Sequence, residues 1–215
     1  MDKKPFSFDT IRNFDNHISS SIMGYDILHL LLINISSFFI KKNTNIVDLG
    51  CTSGKLIKSL KSAYHCTGTG YDITDANFID NDGDLIKADI TSKEFELPKS
   101  DLIFCIFTLQ FIDYEKRLDL LKKVSSALSG SGAFVFCEKE ICSDGVIQEV
   151  FTFSNYEYKK NVFTEAEILQ KEYDLRSIMT PLQTAQNVEL LRKAGFTKIE
   201  PFFQSLNFKG YICRK

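Results

Sequence analysis

Residues 45–56 read NIVDLGCTSGKL. A short apolar run meets an acid, two glycines follow four residues apart, and a lysine opens a segment with apolar residues at helical spacing, Leu56, Ile57 and Leu60. That pattern is a buried strand turning sharply into a helix, and it recurs outward along the chain. CTGTGYDI (66–73) predicts a second strand ending at Asp72, and DLIKADI (84–90) a third ending near Asp89. SDLIFCIFTL (100–109) predicts a fourth, apolar almost throughout, as a strand covered on both faces is. Residues 113–128 carry Leu118, Leu121, Val124 and Leu128 on one helical stripe, which Ser129-Gly130-Ser131-Gly132 stops. AFVFCEK (133–139) predicts a fifth strand, and a polar, mostly helical segment fills 143–194. KIEPFFQS (198–205) and NFKGYICR (207–214) then predict an antiparallel pair, with Pro201 marking an edge or a bulge.

Strand and helix in alternation, closed by a hairpin, imply an α/β fold: an open, mostly parallel sheet with helices on both faces. Ligands of such sheets sit beyond the carboxyl ends of the strands, where the 45–56 turn lies. Residues 73–84 and 91–100 are too short for a full crossover helix, so the sheet there is covered by a turn of helix, by the N-terminal helix or by a partner subunit. With 215 residues and no linker-like tract, one domain is expected, 1–215, with residues 1–42 as an N-terminal helical lid and 143–194 as a helical insertion.

Composition narrows the function classes. The formal net charge of −2, from 26 basic and 28 acidic residues, gives no broad attraction to nucleic acid or to an anionic membrane. The apolar stretch 21–40 is interrupted by Asp26, His29, Asn34, Ser36 and Ser37, so it reads as a buried helix rather than a span. The start, MDKKPFSFDT, lacks a following apolar region of signal type, and a cytoplasmic protein is expected. The six cysteines form no C-x-x-C pair and sit mostly in strand-like runs, which implies free thiols in a reducing compartment. The three histidines are scattered, and no metal site is expected.

Asp48-x-Gly50-x-x-x-Gly54 is not the dinucleotide fingerprint, because its spacing differs, and it lacks the lysine-serine ending of a phosphate loop. It resembles the first motif of class I S-adenosylmethionine-dependent methyltransferases, D/E-x-G-x-G-x-G, with Thr52 in place of the middle glycine. In that reading the glycines let the backbone approach the methionyl part of the ligand. Asp72, 22 residues after Gly50, stands where an acid can accept from both ribose hydroxyls. Asp89 stands where a carboxylate can accept from the adenine amino group while Ile90 packs on the ring. Each Asp alone also fits an ordinary strand-end turn.

A narrower resemblance runs through MGYDIL (23–28), VDLGCTSG (47–54), FTLQFID (107–113), CEKE (137–140), TEAEILQK (164–171) and LRKAGFTKIEPFFQSLNF (191–208). These stretches resemble the carboxy-S-adenosylmethionine synthases of the tRNA wobble-uridine pathway, over nearly the whole chain from about residue 20. The resemblance implies a Rossmann-like class I methyltransferase fold, S-adenosyl-L-methionine or a derivative as cofactor, a homodimer, and prephenate as the second substrate. It also implies ligand contacts at Tyr25, Gly50, Cys51, Thr52, Asp72, Ile73, Asp89 and Ile90, with Tyr25 supplied by the lid. Two positions depart from the family's pattern: Ile106 stands where it has an asparagine, and Glu172 follows Gln170-Lys171 where it has the arginine that grips the added carboxylate. Glu172 and Arg176 are expected to pair with each other as an i,i+4 surface couple.

Methyl transfer from a sulfonium needs positioning and exclusion of water more than a general base, so the sequence names no catalytic residue. Glu138, at the end of the fifth strand, is the one candidate, against a purely structural role. Three functions follow: a methyltransferase-like enzyme acting on a small molecule, a carboxy-S-adenosylmethionine synthase with an altered carboxylate clamp, or a non-catalytic ligand-binding homologue. None of them requires direct contact with nucleic acid or with a membrane.

Overall fold

Ile46 to Leu49 are buried on both sides, and Asn45–Leu49 (β1) forms the centre of the sheet for that reason. The structure is a computed structural model describing residues 8, 11, 13–79 and 84–215. Most of the N-terminal stretch 1–10, and residues 80–83 of the second connection, lie outside the described residues. Around β1 stand β2 (Thr67–Asp72), β3 (Leu85–Lys87), β4 (Ser100–Ile106), β5 (Leu128–Ile141), β7 (Lys198–Ser205) and β8 (Phe208–Arg214). Their order is β3-β2-β1-β4-β5-β8-β7, and β6 (Leu182–Gln183) pairs with the end of β5. The first five strands run parallel, β8 runs antiparallel to β5, and β7 pairs antiparallel with β8 and so points the same way as the first five. This is the fold expected from the strand pattern, with the register shift of the last pair falling at Pro201.

The two-residue period of the strands sorts the core into two layers. Val47, Leu49, Ile103, Phe134 and Phe136 face α4 (Tyr114–Ala127) and α7 (Thr184–Lys193), through Leu121, Val124, Leu190 and Leu191. Ile46, Leu102, Phe104 and Val135 face α2 (Tyr25–Ser36) and α3 (Lys55–Ala63), through Leu28, Leu32, Leu56, Ile57 and Leu60. The remaining helices are α1 (Phe14–Ser21), α5 (Gly145–Lys159) and α6 (Glu165–Arg176).

Four local expectations need correction. The third strand is only three residues long, so Asp89 lies two residues past its end. The fourth ends at Ile106, because Phe107 takes a positive φ of 57° and Leu109–Phe111 forms a 3-10 turn. The Ser129–Gly132 stop is part of β5, which begins at Leu128 and reaches its regular pairing with β4 through a register shift. Finally, 21–40 is not one buried helix. The chain turns at Met23-Gly24, and α2 buries only Leu28, Leu32 and Ser36, while Ile27 and Leu30 are exposed.

Among the described residues no single helix is long and apolar enough to cross a membrane, and α1 and α2 meet at 108°. Where the connection after β3 lacks a helix, Phe95 and Leu97 pack against the core, and Phe95 meets Tyr71 edge to face at 5.1 Å.

Candidate functional site

The turn after β1 is built from left-handed backbone. Gly50 and Gly54 both have φ +78°, and the N–H groups of Gly50 and Cys51 donate to the Tyr71 carbonyl. A Cβ on Gly50 would stand 2.2 Å from Thr108 Oγ1, so the loop after β4 closes directly against this glycine. Thr52 has φ 47°, a region costly for a β-branched residue. Its N–H donates to Asp72 Oδ2 at 2.9 Å, which ties the turn to the end of β2.

These residues open onto a cavity of about 810 Å³. All eight positions singled out from the sequence line it: Tyr25, Gly50, Cys51, Thr52, Asp72, Ile73, Asp89 and Ile90. Tyr25 is the first residue of α2, its ring 6.4 Å from that of Phe107, and burial with the nearby Asp15 and Asp48 pushes its phenol up. Asp72 also accepts from the Thr74 N–H, and Asp89 accepts from the N–H and hydroxyl of Thr91, which hold it below the usual carboxylate range.

Asp48 points to the same side of β1 as Ile46 and lines the cavity. Burial, then the charge of Asp72, raises its pKa to about 7. Asp15 of α1 accepts from Ser53 Oγ at 2.9 Å, adding a further acid to this end.

The other end is cationic. Lys139 from β5, Lys159 from α5, and Lys171 and Glu172 from α6 all line the cavity. Glu172 is buried, and its carboxylate accepts from Lys159 Nζ at 3.0 Å with Lys139 Nζ at 3.9 Å. The expected surface couple of Glu172 with Arg176 is therefore absent. Arg176 is exposed in the last turn of α6, while Glu172 turns inward to lysines that no sequence spacing connects to it.

Burial alone would raise Glu172, but Lys139 and Lys159 outweigh it and hold the group low. Burial, then the charge of Lys159, lowers Lys171 to about 8. His17 is pushed down to about 4 by burial and by Lys171 and Lys159, so it is neutral near pH 7.

Ile106 lines the cavity as an apolar residue. Glu138 does not line it. Its buried carboxylate accepts from the Leu109 N–H at 2.9 Å and holds the 3-10 turn, which is the structural role. Gln110 in that turn accepts from the Lys139 N–H at 2.8 Å. The buried Arg117 donates to the carbonyls of Gln110 and Ile112 and to Thr180 Oγ1, clamping the turn to the chain beside Ile178 and Met179. Lys139, Lys159, Asp15 and Thr108 were not legible as site residues, since each meets the others only through the fold. Among the described residues no three potential metal ligands gather.

A family model described as a methyltransferase domain matches residues 47–136. The carboxy-S-adenosyl-L-methionine synthase of Wolinella succinogenes is 30% identical over 233 residues, covering 99% of this chain and 95% of its own. The chain belongs to the carboxy-S-adenosyl-L-methionine synthase family. The Staphylococcus epidermidis member is 29% identical over the full length of both chains. A TehB-like SAM-dependent methyltransferase from Corynebacterium glutamicum has the same fold, with TM-score 0.57 over 86% of each chain at 15% identity. The family's fold is that of S-adenosylmethionine-dependent enzymes, and the acid-lined turn of this chain is the part that the methyltransferase-domain match begins on.

Proposed function

We propose that the cavity binds S-adenosyl-L-methionine and that the enzyme transfers its methyl group to a small-molecule acceptor. The observation that carries this reading is the convergence of Gly50, Asp72 and Asp89, from three successive strand ends, on one cavity. The volume suits a ligand of that size, and the carboxylates suit a ligand bearing a sulfonium and an ammonium. Asp72 retains acceptor capacity for ribose hydroxyls after binding the Thr52 and Thr74 N–H groups, since an ionised carboxylate offers about four lone-pair sites. Asp89 accepts from the adenine amino group, Ile73 and Ile90 flank the ring, and Gly50, Cys51 and Thr52 border the methionyl part.

S-adenosylmethionine supplies an activated methyl group at its sulfonium. Tyr25 and the α1–α2 pair act as the lid that excludes water, and the acceptor enters beside Lys139 and Lys171. The chain forms one domain in this reading, with 143–194 inserted to carry Lys159 and Lys171. Free cysteines, four of the six buried, fit a cytoplasmic setting.

A second reading is carboxy-S-adenosylmethionine synthesis from prephenate in service of tRNA wobble-uridine modification. Membership of the family favours it, and the lysines offer cations where the family's arginine is missing. Exposed apolar side chains along α5, at Val146, Val150 and Phe153, support a homodimer.

The test is denaturing mass spectrometry of the small molecule that copurifies, followed by turnover assays. S-adenosylmethionine or its demethylated product supports the first reading, and the carboxylated cofactor together with prephenate turnover supports the second. Tight binding without turnover of any acceptor points to a non-catalytic homologue. A protein that is empty and shows no thermal shift with either cofactor overturns the binding reading itself.

A further inference from the structure

The far end of the sheet, where β1 and β4 begin and β8 ends, holds a second cavity of about 350 Å³. Lys41, Lys42 and Arg214 line it with one acid, Asp101, whose Oδ2 accepts from the Asn45 N–H at 3.1 Å. Among the described residues none of these three cations forms an ion pair. The chain shapes both walls. β5 sets residues 129–132 opposite Asp101 alone, because Ser100 pairs with Leu128 and Leu102 with Ala133. Gly132 is pressed so close that a Cβ there would stand 2.4 Å from the Asp101 carbonyl oxygen. Across from it, the Lys41 N–H donates to Thr44 Oγ1 at 2.7 Å and the Thr44 N–H to the Lys41 carbonyl at 3.1 Å, a turn that Asn43 completes at φ 67°. Two donors at this end lack an acceptor: Arg214 Nε and Ser129 Oγ are shielded from solvent and have no hydrogen-bond partner among the described residues. Ser129 Oγ lies against Gly132, 2.9 Å from where its Cβ would be. A shielded donor left unpaired is costly, so an acceptor that reaches it is favoured.

We propose that this cavity is a second ligand site, which takes the phosphate group of a small aromatic phosphate monoester. Three cations against one carboxylate leave two positive charges, and a phosphate monoester is close to a dianion near pH 7. The Arg214 guanidinium offers the planar fork that phosphate oxygens accept from, and the two lysines add compact charges beside it. A ligand carboxylate brings only one negative charge to the same three cations. Phe38, 84% exposed at the rim, presents a ring to the organic part of the ester. The site is independent of the cofactor reading, since the length of β1 separates it from the turn at Gly50.

The experiment is isothermal titration calorimetry of the full-length protein with phenyl phosphate and, separately, with inorganic phosphate. Phenyl phosphate carries no adenosine and so has no share in the proposed cofactor contacts. The wild-type chain is expected to bind phenyl phosphate at one site and more tightly than inorganic phosphate. Arg214→Met is expected to weaken that binding at least about tenfold, as for loss of hydrogen bonds to a charged group. Lys41→Ala combined with Lys42→Ala changes only exposed side chains, is expected to weaken it in the same direction, and serves where Arg214→Met fails to fold. No binding of either probe by the wild-type chain overturns the proposal. Binding that survives both sets of substitutions unchanged overturns it as well, because the ligand then sits elsewhere. Inorganic phosphate held as tightly as phenyl phosphate overturns the assignment to an aromatic ester.

Discussion

The two ends of the cavity are opposite in charge and differ in how they are made. The end at the β1 turn carries Asp48 in β1, Asp72 at the end of β2, Asp89 two residues past β3 and Asp15 of α1, held by backbone N–H groups, a hydroxyl or burial. The far end carries Lys139, Lys159 and Lys171 around Glu172, brought together from β5, α5 and α6. The acidic end is local, written in strand–turn–helix grammar, and Lys55 and Lys116 line the cavity as well. The basic end is assembled over long sequence distances and already holds an anion. In the proposed reading, this polarity favours a ligand that is cationic at its reactive centre beside the carboxylates.

The largest effect is expected where the basic end is broken. Lys159→Met leaves Glu172 buried with only the more distant Lys139, at a cost of about 3–5 kcal/mol. Urea unfolding measures it, and a loss below about 1 kcal/mol would mean that water reaches the carboxylate.

At the acidic end, Asp72→Ala removes both the acceptor for the Thr52 N–H and the proposed ribose contact. Cofactor affinity is expected to fall by about ten- to a hundredfold, as for loss of hydrogen bonds to a charged group. Calorimetry of the folded variant checks this, and unchanged affinity would remove Asp72 from the ligand's contacts.

Asp48 separates the two ends by pH. The folded carboxyl keeps its proton to about pH 7, whereas the unfolded chain releases it near the ordinary value of 3.8. The unfolded state therefore binds fewer protons between those values, so this group subtracts stability as pH rises from about 4 to 7, and no further above. Asp48→Asn is expected to raise stability by roughly 4 kcal/mol at pH 8 and by little at pH 4, read from urea midpoints at the two pH values.

The smallest effect is at Thr52. Glycine relieves the positive φ but adds freedom to the unfolded chain, and the balance is a gain of about 1 kcal/mol, or ~2–4 °C in melting temperature. A loss of stability on Thr52→Gly would show that the threonine side chain is worth more to the turn than its strain costs.

Strand and helix order was legible because period-2 and period-3.6 patterns are set by neighbours in sequence. The boundaries that failed share one cause. At Phe107 and at Ser129–Gly132 the path is set by what the strand pairs with and what lies beneath it, Cys137 and β4, which no local pattern contains. The same holds for α2, whose apolar residues outnumber those it buries because only one stripe meets the sheet layer. The acidic half of the site was readable for the reason the strands were: Asp48, Gly50, Asp72 and Asp89 each lie within two residues of the end of a strand.

The amino-acid sequence by itself determined the parallel sheet, the turn at Gly50, the acids at or near the ends of β1, β2 and β3, and the departure at Glu172. Only the tertiary structure decided what Glu172 does. A charge's partners are chosen by distance in space, and burial makes those partners obligatory. A glutamate four residues from an arginine can pair along its own helix in water, but one turned into a cavity must be met by cations that face it. Here those are Lys159 and Lys139, 13 and 33 residues earlier in the chain.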